Sequence, residues 1–297
     1  MLIINLAEPF QFDFFKHALL AAIMVGALTG LVGVFVVLRR MSYIGHGMSH
    51  AVFGGAVVGY VAGFNFYLAA GIWGFLSALV INQTTRRRQI GADAAIGIVT
   101  TASFALGVAL ISRASSVTRN FDAALFGNLL GVSTTDLWVI FGTLALTVGV
   151  VFFFYKQLLF LTFDAEVAPI YGVRSGWLDS LFALVLAATI IASIRIMGVT
   201  LIAASLVIPP VIARLLTDRF AVMLVLSSAI GAAVSFLGMF VSYYVDVASG
   251  ASIVLLAAGL FVVTIVGVSV RAWFQTGRRG LVTPDLGGAP EAQALFD

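Results

Sequence analysis

The sequence predicts an all-α membrane protein, a polytopic transmembrane helical bundle of about nine spans, within a range of about 8–10. Three observations predict it. Hydrophobic residues make up 61% of the 297-residue chain and charged residues 10%, against about 25% charged in soluble domains. The mean hydropathy of +1.12 implies more apolar surface than a water-soluble core of this length could hide, so the solvent is lipid. The apolar runs also follow one another too tightly for two soluble domains, and the chain reads as one bundle. The 25 Phe and 30 Gly fit that class, because glycine lets transmembrane helices approach closely.

Residues 1–16 alternate apolar and acidic character and form an interfacial N-terminal segment. Glu8 and Asp13 precede the first long apolar run, which argues against a cleavable signal. The transmembrane domain covers 17–271. Its runs of spanning length, roughly 17–25 residues, lie near 18–38, 41–63, 66–84, 92–112, 135–155, 177–195, 197–213, 220–244 and 249–270.

The second run opens with Gly45-His46-Gly47-Met48-Ser49-His50. A helix begun near Met41 carries His50 on the order of 13 Å along it, close to the bilayer centre. His46 and His50, at i and i+4, share one face about one turn apart. Two neutral imidazoles so placed can bind one metal ion, and ionisable groups at this depth are functional candidates. The plainer reading is a hydrogen-bonding packing role between helices. A zincin-type protease also spaces two His by four, but needs Glu after the first. Gly47 stands there, so hydrolytic chemistry has no base. Further along, Gly55 and Gly59 have the spacing of a tight helix contact.

Asp93 starts the fourth run, where a first-turn acid is the ordinary account. Residues 120–132 are too short and polar to cross, which suits a half-helix or re-entrant segment. Residues 163–176, with Asp164, Glu166 and Gly172, are the most polar internal stretch. Asp164 can cap a short helix that ends near Gly172, either an ordinary loop or a place for a soluble partner to dock. Pro209-Pro210 should break the seventh run, and broken helices often line transport paths. Arg195 falls at an interface, where it can snorkel. The tail, 272–297, with Pro284, Gly287, Gly288 and Pro290, reads as cytoplasmic and disordered.

Basic residues set the orientation. Placing Arg39 and Arg40 inside puts twelve of the sixteen Lys and Arg inside and leaves Lys16, Arg113, Arg119 and Arg195 outside. The expected topology is N-terminus outside, C-terminus cytoplasmic. The net charge of +3 is too small to argue for nucleic acid. No Cys is present, which removes disulfides and thiolate ligands together. No Gly-x-x-x-x-Gly-Lys-Ser/Thr occurs, so ATP-driven work would need another polypeptide.

Five stretches in order, over roughly 18–270, carry a family resemblance. They are Arg39-Arg40-Met41-Ser42-Tyr43-Ile44-Gly45 leading to Ser49-His50-Ala51; Asp93-Ala94-Ala95-Ile96-Gly97-Ile98; Leu125 to Ser133 (LFGNLLGVS); Phe163-Asp164; and Gly198 to Pro209 (GVTLIAASLVIP). With these the chain resembles the permease subunits of bacterial zinc/manganese/iron-type ABC importers. The resemblance implies a type II importer in the bacterial plasma membrane: two permease chains, homo- or heterodimeric, around a central path. It also implies two cytoplasmic ABC ATPases and an extracytoplasmic metal-binding protein. The chain itself is then no enzyme, and the metal is cargo rather than cofactor.

In such families the 163–176 segment corresponds to the coupling helix, giving Asp164, Glu166 and Gly172 that role. Asn128, Asp93, Pro209 and Pro210 become candidates for lining or gating the path. The family's channel site pairs an Asp and a His four residues apart. The His falls on His50, and the Asp position falls on His46, a departure. Imidazole in place of carboxylate removes a charge and softens the site, leaning slightly to zinc over manganese, and it adds proton sensitivity. The alternatives are a permease for a metal chelate such as a siderophore, an ion-coupled secondary carrier, and a membrane enzyme. The paired His weigh against the first. The lack of mid-membrane carboxylates weighs against the second, and the missing base against the third.

Overall fold

The structure, a computed structural model, describes residues 8–86, 92–113, 125, 127, 131–164, 167–172 and 174–279. A 3-10 turn, Glu8–Gln11, leads into α1, Asp13–Leu38; then come α2, Ser42–Val61, α3, Phe66–Arg86, and α4, Ala92–Arg113. The second half holds α5, Thr134–Phe153, α6, Tyr155–Phe163, a 3-10 turn Ala168–Tyr171, and α7, Ser175–Met197. It ends with α8, Ile202–Leu216, α9, Phe220–Val245, and α10, Ser249–Arg279. Among the described residues there is no strand, and each of the nine apolar runs holds one long helix. Among the described residues, six helices are long and apolar enough to cross a membrane: α1, α4, α5, α7, α9 and α10. The apolar stretch of α3 ends at Ile81, and α8 has 15 residues, about 22 Å at 1.5 Å per residue, short of a 30 Å hydrocarbon core.

The core is organised by α1. Phe15, Val25, Leu28 and Phe35 are buried on it, and it packs on α9, α8, α5 and α7. Between helices in lipid there is little hydrophobic gain, so small residues and hydrogen bonds do the joining. A Cβ on Gly26 would stand 2.2 Å from the Gly231 carbonyl oxygen of α9. One turn on, the Ser227 hydroxyl donates to the Gly30 carbonyl at 2.7 Å. A second group, α2 with α3 and α4, is tied to the first through α7 and α8.

The helix bounds differ from the sequence expectation at both ends. The interfacial segment gives its last residues to α1, whose first turn holds the Asp13–Lys16 pair at 2.9 Å. At the other end α10 runs eight residues into the expected disordered tail. The fifth run divides at Phe154, where the backbone leaves helical geometry between α5 and α6.

The proline pair does not break its helix, contrary to expectation: α8 continues through Pro209 and Pro210. The break falls earlier, at Gly198–Leu201. Proline lacks an N–H, so the carbonyls of Ser205 and Leu206 lose their i+4 donors. The Leu206 carbonyl turns onto Gly33 of α1, where an added Cβ would sit 2.1 Å from its oxygen. The Ser205 hydroxyl meets Thr29 of α1 at 3.0 Å.

Most of the expected re-entrant stretch, 120–132, lies outside the described residues. Leu125 and Gly127 stand against the break before α8: the Thr200 hydroxyl donates to the Leu125 carbonyl at 2.8 Å. Gly127 and Gly198 both have positive φ, 83° and 72°, and a Cβ on Gly198 would lie 2.6 Å from the Gly127 nitrogen. Only glycine fits both the backbone shape and the approach.

Candidate functional site

Helix α2 is set by its glycines. A Cβ on Gly47 would lie 2.5 Å from Ile96 Cγ2, and one on Gly54 would lie 2.1 Å from the Ser103 carbonyl oxygen, so α2 and α4 are nearly in backbone contact. On the α3 side, Cβ atoms on Gly55 and Gly59 would fall 2.2 Å from Trp73 and 2.1 Å from Ala69. The small-residue spacing does mark a tight helix contact. Near the start of α2, Gly45 faces Leu206 of α8.

This clamping leaves one face for the imidazoles. His46 is exposed and His50 half-buried, with ring centroids 4.7 Å apart in an edge-to-face arrangement. Phe104 of α4 covers the far side of His50, its centroid 4.8 Å away. Tyr43, exposed, stands 6.4 Å from His46 toward the start of the helix. The Ser49 hydroxyl is spent on the His46 carbonyl at 2.7 Å. His50 Nδ1 is buried and has no hydrogen-bond partner among the described residues.

That last fact bears on the packing alternative. A histidine kept to join helices would hydrogen-bond across the interface, and His50 Nδ1 does not. Two adjacent imidazoles with a free nitrogen can ligate one ion at nitrogen–metal distances of about 2.0–2.1 Å. Among the described residues no group of three or more His, Cys, Asp or Glu assembles. Within the described residues the pair is thus two potential ligands, where a bound ion takes four or six.

Asp93 is in the first turn of α4, its side chain outside the described set, as are Asn128 and Glu166. Asp164 and Gly172 bound the connection from α6 to α7. Asp164 Oδ1 accepts from the Val167 N–H at 3.0 Å, and Gly172, at φ 76°, closes a single 3-10 turn. The expected short helix is that one turn. Pro209 and Pro210 are buried in α8 against α1.

Two polar sites escaped the sequence reading. Arg39, at the end of α1, pairs with Asp179 of α7 and lies over the Phe182 ring at 5.1 Å. At the opposite end of the bundle Asp136, 2% exposed, takes the Tyr67 hydroxyl of α3 and the Ser133 N–H at 2.8 Å. Ser133-x-x-Asp136 is a capping box, a signal that was readable locally. Arg39 and Asp179 are 140 residues apart, and no local signal joins them.

Comparison with known proteins gives a coherent set. The model of the ABC 3 transport family matches residues 11–267. The manganese transport system membrane protein MntC of Halalkalibacterium halodurans is 38% identical over 273 residues, 92% of this chain and 91% of that protein. The manganese import system permease protein ScaB of Streptococcus gordonii is 38% identical, over 86% and 91%. A Haemophilus influenzae protein described as a probable iron transport system membrane protein is 33% identical, over 90% and 98%. Among solved structures, PsaBC from Streptococcus pneumoniae in complex with Fab superposes with a TM-score of 0.80 at 37% identity, covering 87% of this chain and 94% of that one. An ABC transporter solved in an inward-facing conformation shares the fold alone, with a TM-score of 0.70 at 18% identity over 90% and 91%.

Proposed function

This chain belongs to the ABC 3 transport family, and from that premise we propose that it is the membrane permease of an ATP-driven importer of a divalent first-row metal ion. Manganese comes first. Imidazole chemistry alone leans toward zinc, but the relatives are named for manganese and iron, and geometry and metal supply outweigh raw ligand preference. The observation that carries the reading is the His46–His50 pair, two edge-to-face imidazoles on one helix face with no partner for His50 Nδ1 among the described residues.

The cargo ion arrives from an extracytoplasmic binding protein and enters between two permease chains. His46 and His50 hold it there, with ligands from the second copy or water completing its shell. Two neutral nitrogens bind weakly enough for the ion to leave, which conduction requires. The chain lies in the bacterial plasma membrane, all nine long helices crossing or entering it, N-terminus outside. The twelve-to-four split of basic residues supports this orientation.

Partner ATPases dock on the 164–172 connection. Helix α7 begins three residues later and reaches Arg39 through Asp179. Arg39 is followed by Arg40, at φ 56°, in the short turn that starts α2. A push on the connection thus has a short path to the histidines.

The test is metal accumulation in cells carrying His50→Ala in place of the native chain. Uptake of manganese falls to the level of the deletion, while the chain still inserts and copurifies with its ATPase. Undiminished accumulation would refute the site.

A further inference from the structure

A groove of about 790 Å³ runs between α1, α5, α6 and α9. Leu31, Val148, Val151, Leu224 and Val225 form its walls, and Lys156 stands at its rim. We propose that this groove binds an anionic phospholipid, an acyl chain along the walls and the headgroup phosphate on Lys156.

The dimensions suit a chain from one leaflet. The lining starts at Ala221, the second residue of α9, and reaches Ser228, seven residues on. On α1 it reaches Leu31, seven residues before Leu38. Each is about 10 Å of helix, most of the roughly 15 Å of hydrocarbon in one leaflet. Ser228, a polar residue of the α9 wall, has its hydroxyl spent on the Leu224 carbonyl at 2.9 Å. The mouth is flanked by Phe152 and Phe153, each 76% exposed, so apolar surface continues from the groove to the membrane side of the protein.

The charge argues for the headgroup. Lys156 is exposed, and among the described residues no carboxylate pairs with it. It is the second residue of α6, at the end of the bundle that also carries Arg39 and Arg219. A long basic side chain there reaches the headgroup layer while its stem covers apolar surface, and anionic headgroups attract it. A second permease chain is the other body that could fill an apolar groove. A copy that completes the His46–His50 site must face α2, and no residue of α2, α3 or α4 lines the groove. Lipid is what remains for this side.

The experiment uses the full permease with its ATPase partner, extracted from vesicles of equal phosphatidylglycerol and phosphatidylcholine. After washing in detergent, the retained lipid is measured by mass spectrometry. The native complex keeps phosphatidylglycerol in excess. Lys156→Gln lowers that excess about fivefold, Lys156→Arg preserves it, and Val225→Trp, which fills the groove, lowers retention of both lipids. Thermal unfolding in phosphatidylcholine alone reports whether each variant is folded, and a variant that fails there is replaced by Val148→Trp from the opposite wall. An excess that survives both Lys156→Gln and the groove-filling variant overturns the proposal. Because the chain has no Cys, Val225→Cys also introduces a lone thiol, and a disulfide between two permease chains through it would show a protein partner instead of lipid.

Discussion

At His50 the Nδ1 has no partner among the described residues, and a buried polar atom left unbonded is unfavourable by about 1–3 kcal/mol. A residue kept for packing would not carry that cost, whereas a transient ligand must. His46 is the exposed half of the proposed pair. Replacing it by carboxylate, His46→Asp, adds a hard, charged ligand. The expected outcome is a rise in manganese uptake relative to zinc, read as a competition ratio with the two radioisotopes; an unchanged ratio would mean that His46 does not contact the ion. The pair was legible in the sequence because i,i+4 spacing is a local property of a helix. Phe104 was not, since its place beside His50 depends on how α2 and α4 pack.

Among the elements, α2 is held by backbone approach, and this gives a sharp expectation. Gly54→Val drives a branched side chain into the Ser103 backbone, which has no rotamer to yield. Overpacking of this kind costs about 1–3 kcal/mol or more, visible as a lower unfolding temperature of the purified chain, while Gly97→Ala, with open space at its Cβ, changes little. The Arg39–Asp179 link offers a test of coupling. Arg39 is 12% and Asp179 31% exposed, and breaking a largely buried pair is strongly destabilising because one charge stays unpaired. Either Arg39→Asp or Asp179→Arg alone should lower transport per ATP hydrolysed, and the double exchange should recover it. No recovery, with both proteins folded, would mean that the pair is not a route from the connection to α2. The misread proline pair belongs to this scale too. Proline rules describe a helix by itself, but in α8 the freed Leu206 carbonyl lies against Gly33 of α1 and the Ser205 hydroxyl meets Thr29, and the packed helix runs on.

For the whole molecule, the expectation is that work comes from elsewhere. With no P-loop in the chain, metal uptake in vesicles should stop when the partner ATPase carries an inactive nucleotide site and should survive collapse of the proton and sodium gradients. Gradient dependence would instead point to a secondary carrier. Composition by itself determined that this is a helical membrane protein, because 61% hydrophobic residues leave lipid as the only solvent. Local spacing determined where the helices and the paired imidazoles lie, because periodicity and turn chemistry act within a few residues. Only the tertiary structure decided what those helices bury: Arg39 on Asp179, Asp136 on Tyr67, Phe104 beside His50, and the groove below Lys156. Each joins residues far apart in the chain, and close packing of glycine-lined helices, not sequence distance, brings them together.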